Sequence, residues 1–202
     1  MRNGMRKMIR NKLRLHCAQL FSLFLLLSIS HSLIFLISCD DATDYISHRY
    51  TCRFVFDETQ HPTSLLFGAL KSPGTYVTVT TTGDGRATLR HVYVTINDGR
   101  TPTEDNVIRT DRENNMAYQL GARNDIGLIV GCTNFNGPTA YDRACPNCAD
   151  LQPLNFSGNR QQVACGKCSR TYDLETGASA SGGDPLMRYI ANYNGQRLAV
   201  SN

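Results

Sequence analysis

The sequence predicts an all-β domain, and three observations lead there. β-branched and aromatic residues recur in short runs, several of them alternating with polar ones. Turn signals separate those runs at close intervals, and helical periodicity is nearly absent. The length of 202 residues, 41% of them hydrophobic, suits one domain of ordinary size and excludes a disordered chain or a large multidomain enzyme.

The elements follow in order. Tyr50, Cys52, Phe54 and Phe56 alternate with Thr51, Arg53 and Val55, the period of a half-buried strand. Leu65, Leu66, Ala69 and Leu70 allow one or two helical turns before Pro73-Gly74 stops them. Residues 76–81 read as a strand, Gly83-Asp84-Gly85 as a turn, and residues 89–96 as the next strand. Residues 97–115 are polar, with Asn97-Asp98-Gly99 and Pro102, and read as a loop or insertion. Strands resume at residues 127–132 and near Ala140-Tyr141. The chain closes with residues 187–193 and 197–200 across an Asn194-Gly195 turn.

Charge is unevenly placed. Six of the 21 basic residues (Arg2, Arg6, Lys7, Arg10, Lys12, Arg14) precede residue 15, and the first acidic residue is Asp40. Without those six, residues 39–202 carry 15 basic and 17 acidic groups, a net of −2. The overall +4 therefore belongs to the leader and gives no argument for nucleic-acid binding. Residues 17–38 are almost uninterruptedly apolar, and a basic stretch followed by an apolar one is an export signal. A retained anchor helix is the alternative, since the stretch is long enough to span a bilayer. Its end, Leu36-Ile37-Ser38-Cys39, resembles the lipobox of bacterial lipoproteins. That resemblance implies cleavage before Cys39 and a lipid on it, with residues 1–38 as signal peptide and 39–48 as a polar tether. Asp40-Asp41 resembles the start of mature lipoproteins of some Gram-negative lineages, which implies a lipid-anchored protein of the cell envelope, periplasmic or surface-exposed. No Arg-Arg pair occurs in the leader, so export of an unfolded chain is expected.

The cysteines carry the strongest signal. Cys145-Pro-Asn-Cys148 is followed after sixteen residues by Cys165-Gly-Lys-Cys168, a spacing that matches a four-sulfur metal site. Each tight turn sets two sulfurs on one side of the chain, and two such turns brought together enclose one ion. Pro146 and Gly166 suit such turns. Two disulfides, most plausibly paired across the knuckles, are the alternative in an exported protein.

Residues 164–177 (Ala-Cys-Gly-Lys-Cys-Ser-Arg-Thr-Tyr-Asp-Leu-Glu-Thr-Gly) resemble the second cluster loop of Rieske ferredoxin domains, and residues 140–145 resemble the strand entering the first. Pro185-Leu-Met-Arg-Tyr189 and the Gly195 turn resemble the closing hairpin. The resemblance covers residues 127–202 well and 49–80 more weakly. It implies a Rieske-like β-sandwich or barrel over residues 49–202, with a four-cysteine subdomain of two knuckle loops inserted at about 143–178, and an electron carrier.

The departures are equally clear. Cys148 and Cys168 stand where that family has histidines, and none of His16, His31, His48, His61 or His91 lies near a knuckle. The mixed ligation that raises a Rieske potential is absent. Four thiolates suit Zn²⁺, a single rubredoxin-like iron or a [2Fe–2S] cluster. Zn²⁺ is favoured, because an unfolded exported chain can collect it outside the cell.

Cys52 and Cys132 remain, either as a disulfide between two strands or as two buried thiols. Asp142 and Asp173 bracket the cluster loops as turn hydrogen-bonders, while His61 and His91 read as ordinary surface or strand residues. No nucleophile signature, phosphate loop or paired carboxylates are visible, so no enzyme is expected. The expected partners are a membrane, through the lipid, and an envelope or redox protein.

Overall fold

A computed structural model of the chain describes residues 45–82, 90–96, 98, 100–110, 113, 118–158 and 160–202. These all fall in the second of two compact units, Thr43–Asn202. The leader with Cys17, the Cys39 lipobox, residues 40–44 and the Gly83-Asp84-Gly85 turn lie outside the described residues. Among the described residues no helix is long and apolar enough to cross a membrane.

Of the described residues, 46% are strand and 6% helix, so the chain is all-β. The elements are β1 (Cys52–Asp57), α1 (Leu65–Lys71), β2 (Thr75–Thr81), β3 (Arg90–Ile96), β4 (Glu104–Ile108), β5 (Gln119–Leu120), β6 (Leu128–Thr133), β7 (Gly137–Asp142), β8 (Leu154–Ser157), β9 (Gln162–Cys165), β10 (Thr171–Asp173), β11 (Arg188–Tyr193) and β12 (Arg197–Ser201). Nine form one sheet in the order β4-β3-β2-β6-β7-β11-β12-β1-β5, and β10-β9-β8 form a second. Every ladder is antiparallel.

Alternation decides which face each strand buries. Phe54 and Phe56 of β1 point into the main core with Val77 and Val79 of β2, Leu128 and Val130 of β6, and Leu198 and Val200 of β12. Phe56 stacks on Phe67 of α1 at 5.6 Å between ring centroids. The intervening residues Tyr76 and Ile129 face a second core, shared with the small sheet. All six residues of β6 are therefore buried, which explains its continuous apolar run.

Residues 97–115, expected as loop or insertion, contain β4, which pairs with β3 from Arg90↔Ile108 to Val94↔Glu104. At the end of the sheet order, β4 combines exposed Asp105 and partly buried Glu104 and Val107 with buried Asn106 and Ile108, a mix of polar and apolar residues inside that hid its period. It also starts the helix. Glu104 Oε2 accepts the Leu65 N–H at 2.7 Å and the Ser64 hydroxyl at 3.3 Å, placing a carboxylate where α1 has no acidic residue of its own.

The small sheet arises between β7 and β11 in the chain, yet these two strands pair directly, Arg188↔Tyr141 and Tyr189↔Ala140. The second sheet is thus an insertion into a closed frame. Asp142, fully buried at the end of β7, secures the junction. Its Oδ1 accepts the Ala144 N–H at 2.8 Å, and its Oδ2 accepts the Ala122 N–H at 2.7 Å and the Tyr189 hydroxyl at 2.9 Å. Burial pushes the carboxyl pKa up, and these three donors oppose that shift. Gly121 (φ +66°) passes so close that a Cβ would lie 2.2 Å from Asp142 Oδ2.

Asp142→Asn sets an amide N–H₂ against buried donors. It is expected to cost about 1–3 kcal/mol, seen as a lower urea midpoint at unchanged slope, with Tyr189→Phe costing less.

Candidate metal centre

The first knuckle leaves β7 at Asp142. Its path is held by Arg143, whose Nε donates to Leu154 O at 2.9 Å, and by the Cys145 N–H, which donates to Gln152 O at 2.8 Å. The Cys148 N–H closes the turn onto Cys145 O at 3.3 Å. The second knuckle is the tip of the β9–β10 hairpin. There the Cys165 N–H donates to Arg170 O at 2.9 Å and the Ser169 N–H to Cys165 O at 3.0 Å. Ser169, directly after the last cysteine, takes the left-handed conformation at φ 56°, which turns the chain back into β10. Pairing of Leu154 with Cys165 across β8 and β9 brings the two knuckles together.

The four sulfurs converge. Cys145 and Cys168 Sγ are 3.7 Å apart, as are Cys148 and Cys165 Sγ, and all four lie within 4.8 Å of one another. A tetrahedral zinc site with Zn–S bonds of about 2.3 Å has edges of about 3.8 Å. All four are free thiols, and 3.7 Å is far beyond the roughly 2.05 Å of a disulfide. Cys145, Cys148 and Cys165 are buried and Cys168 is partly exposed. Among the described residues this is the one cluster of three or more ligating side chains. It can hold one metal ion.

The described histidines lie away from the cluster, as the sequence implies, while His16 and His31 lie outside the described residues. His48 is exposed on the approach to β1, His61 stacks on Phe56 at 4.4 Å, and His91 pairs with Asp105 at 2.7 Å.

Three side chains that the cysteine spacing alone does not reveal shape the site. The Tyr172 hydroxyl lies 3.4 Å from Cys145 Sγ and accepts from Asn147 Nδ2 at 2.9 Å, which leaves its own hydrogen for the sulfur. Asn147 also clamps the backbone of Asp184, donating to its carbonyl at 2.9 Å and accepting its N–H at 3.0 Å. The Arg170 N–H, then its guanidinium, hold Cys168 down at about 6 against burial. Burial and the neighbouring thiols push Cys148 up to about 12, and burial raises Cys145. Tyr172 is the one fully buried residue of β10, a strand of three residues too short to show its alternation in the sequence.

Asp173 does the expected turn work, its Oδ1 accepting the N–H groups of Glu175 and Thr176 at 3.0 and 2.9 Å. Cys52 and Cys132 are buried free thiols on β1 and β6, with β7, β11 and β12 between those strands in the sheet order. Burial pushes Cys52 to about 12. Residues 46–47 of the expected tether are held, since the Ser47 N–H donates to Arg188 O at 2.8 Å. No family model, curated protein or solved structure matches the chain.

Replacing Tyr172 by Phe is expected to keep the fold and weaken metal binding about tenfold in chelator competition, the usual effect of losing an outer-shell partner. Because a bound ion requires thiolates, and burial holds the thiols of Cys145 and Cys148 above their ordinary range, affinity is expected to rise with pH between 6 and 8 in the same assay.

Proposed function

We propose that the chain is an exported, lipid-anchored metal-binding domain of Rieske-like architecture. Its four-cysteine centre holds one zinc ion as a structural cross-link in an accessory or binding module of a Gram-negative cell envelope. The observation that carries this reading is the convergence of four cysteine sulfurs within 4.8 Å. A two-iron cluster places two thiolates on each iron and spreads the sulfurs farther than one ion does, so the compact quartet favours a mononuclear centre. Support for the Rieske-like architecture comes from the three-stranded insertion between β7 and β11, whose two loops carry the ligands.

Bound there, zinc would supply a fixed tetrahedral cross-link between two loops, and binding energy would become folding energy. Cys145, Cys148 and Cys165 sit in the second core beside Leu154, Val163 and Tyr172, so the link would lie at the centre of the small sheet's packing. The lipid anchor rests on the Cys39 motif.

A second reading, single-electron transfer by a mononuclear iron or [2Fe–2S] centre, is favoured by the exposure of Cys168. One partly exposed ligand residue would give an electron a short exit to a redox partner. All-thiolate ligation would then set a lower potential than that of a Rieske centre.

Metal analysis with a visible spectrum of the purified mature protein separates these readings. One zinc per chain in a colourless protein is expected, and an iron centre that bleaches on reduction would instead establish the electron carrier. Absence of both metal and titratable thiols would sink both readings. With zinc a thousandfold above its Kd, chelation is expected to remove about 4 kcal/mol of stability, read as a fall in Tm. Metabolic lipid labelling is expected to disappear in Cys39→Ser.

A further inference from the structure

The two sulfur contacts of 3.7 Å share one property: each crosses from one knuckle to the other. Cys145 of the first knuckle meets Cys168 of the second, and Cys148 meets Cys165. The turns are held by backbone, independently of those contacts. The Cys148 N–H donates to Cys145 O at 3.3 Å and the Ser169 N–H to Cys165 O at 3.0 Å, while the Cys145 and Cys165 N–H groups are tied to Gln152 O and Arg170 O. Both knuckles are therefore fixed while their side chains face each other across the gap. Access is unequal, since Cys168 is partly exposed and the other three are buried.

We propose that the centre is also a reversible oxidation site, at which peroxide converts the four thiolates into two disulfides across the knuckles, Cys145–Cys168 and Cys148–Cys165, and the metal ion leaves. The proposal rests on the single-ion reading put forward above and names a regulation of that same site. Each 3.7 Å contact has to close to a bond of about 2.05 Å, roughly 1.7 Å of movement that two side chains share while the backbone of both turns stays in place. A bond within a knuckle would first have to swing both sulfurs out of these contacts.

The chemistry enters at Cys168, the accessible member. Its thiolate takes one oxygen from hydrogen peroxide and becomes a sulfenic acid, while the other peroxide oxygen leaves as hydroxide and is protonated to water. The Cys145 thiolate then attacks that sulfur. The S–S bond forms, the S–O bond breaks, and the second oxygen also leaves as water once protonated. A second peroxide oxidises Cys148 and Cys165 in the same way. Two peroxides thus accept four electrons and, with four protons, give four waters; the divalent ion, left without thiolates, is released. Either state ties the β7–β8 connection to the β9–β10 hairpin, so the small sheet stays latched when the ion is lost. An exported domain, in a compartment where disulfides persist, would survive oxidation closed and reload its metal on reduction.

Hydrogen peroxide is titrated into the metal-loaded protein with a chromogenic chelator present, thiols are counted in parallel, and the non-reduced peptides are mapped by fragmentation mass spectrometry. Four thiols lost and two peroxides consumed per ion released are expected, with an unchanged far-UV spectrum and with Cys52 and Cys132, on separate strands, still titratable. The map is expected to show Cys145–Cys168 and Cys148–Cys165, and a phosphine reductant with added zinc is expected to restore the metal. With peroxide limiting and dimedone present, the trapped sulfenic acid is expected on Cys168. Any other pairing, or sulfinic acid without a disulfide, overturns the proposal, and dimedone on a buried cysteine overturns the entry at Cys168. A protein purified with free thiols and no metal defeats the metal reading alone, because the same map made on it still decides the pairing.

Discussion

The direct pairing of β7 with β11 is the constraint on which the rest depends. It closes the main sheet beneath the insertion, so the two knuckles and the small sheet start and end at adjacent points of a rigid frame. The Asp142 carboxylate makes that junction three-way. It ties the last residue of β7 to Ala144 on the way to Cys145, to Ala122 before β6, and to Tyr189 on β11. A buried carboxylate is tolerable only when its lone pairs are occupied, and three donors occupy them here. Because Asp142 is three residues from the first ligand, the orientation of the metal loop is set by the frame before any ion arrives.

The inserted sheet has strands of only three or four residues, too little to stand alone in water. Packing supplies part of its stability, and a bound ion would add to it. One face packs on Tyr76, Ile129 and Tyr141 of the main sheet, burying Leu154, Val163, Tyr172 and Leu174. The rest of that core is Leu186 and three cysteines, and facing thiols contribute little cohesion by themselves. A thiolate-bound ion turns the same atoms into a cross-link between the β7–β8 connection and the β9–β10 hairpin. With an ion bound, fold and centre would depend on each other at this end of the molecule, while the aromatic core around Phe54, Phe56 and Phe67 stands apart from it.

Much of this was legible in the residues. Strands with clean alternation or an unbroken apolar run, β1, β2, β3, β6, β11 and β12, could be read directly, and the two Cys-x-x-Cys turns named the ligands. β4 was hidden because only Asn106 and Ile108 turn fully inward and Glu104 is committed to capping α1. β8, β9 and β10 were hidden because their length falls short of one full period of evidence. Asn147 was unreadable for a different reason. Its partners, Tyr172 and Asp184, are 25 and 37 residues away, and a side-chain clamp across that distance leaves no local pattern. Cys52 and Cys132 show the same limit, since both lie in strands while sheet order alone decides whether they are neighbours.

The donor set also constrains what the centre can do. Four protein thiolates complete a tetrahedral shell, whereas catalytic zinc sites keep one position for water or substrate. An ion held by all four sulfurs would therefore be a closed centre, suited to a cross-link or to outer-sphere electron transfer. Between those two uses the asymmetry of the shell matters. Three of the cysteines lie in the second core, and the fourth, Cys168, packs against it partly exposed, beside Arg170. A cross-link gains nothing from an exposed ligand, but the strand geometry imposes one: Cys168 follows the buried Cys165 at a hairpin tip, where the chain has to turn outward through Ser169 to enter β10. Exposure at Cys168 thus follows from the fold itself, without an electron-transfer role to explain it, and the compact four-sulfur cage remains the feature that a function has to account for.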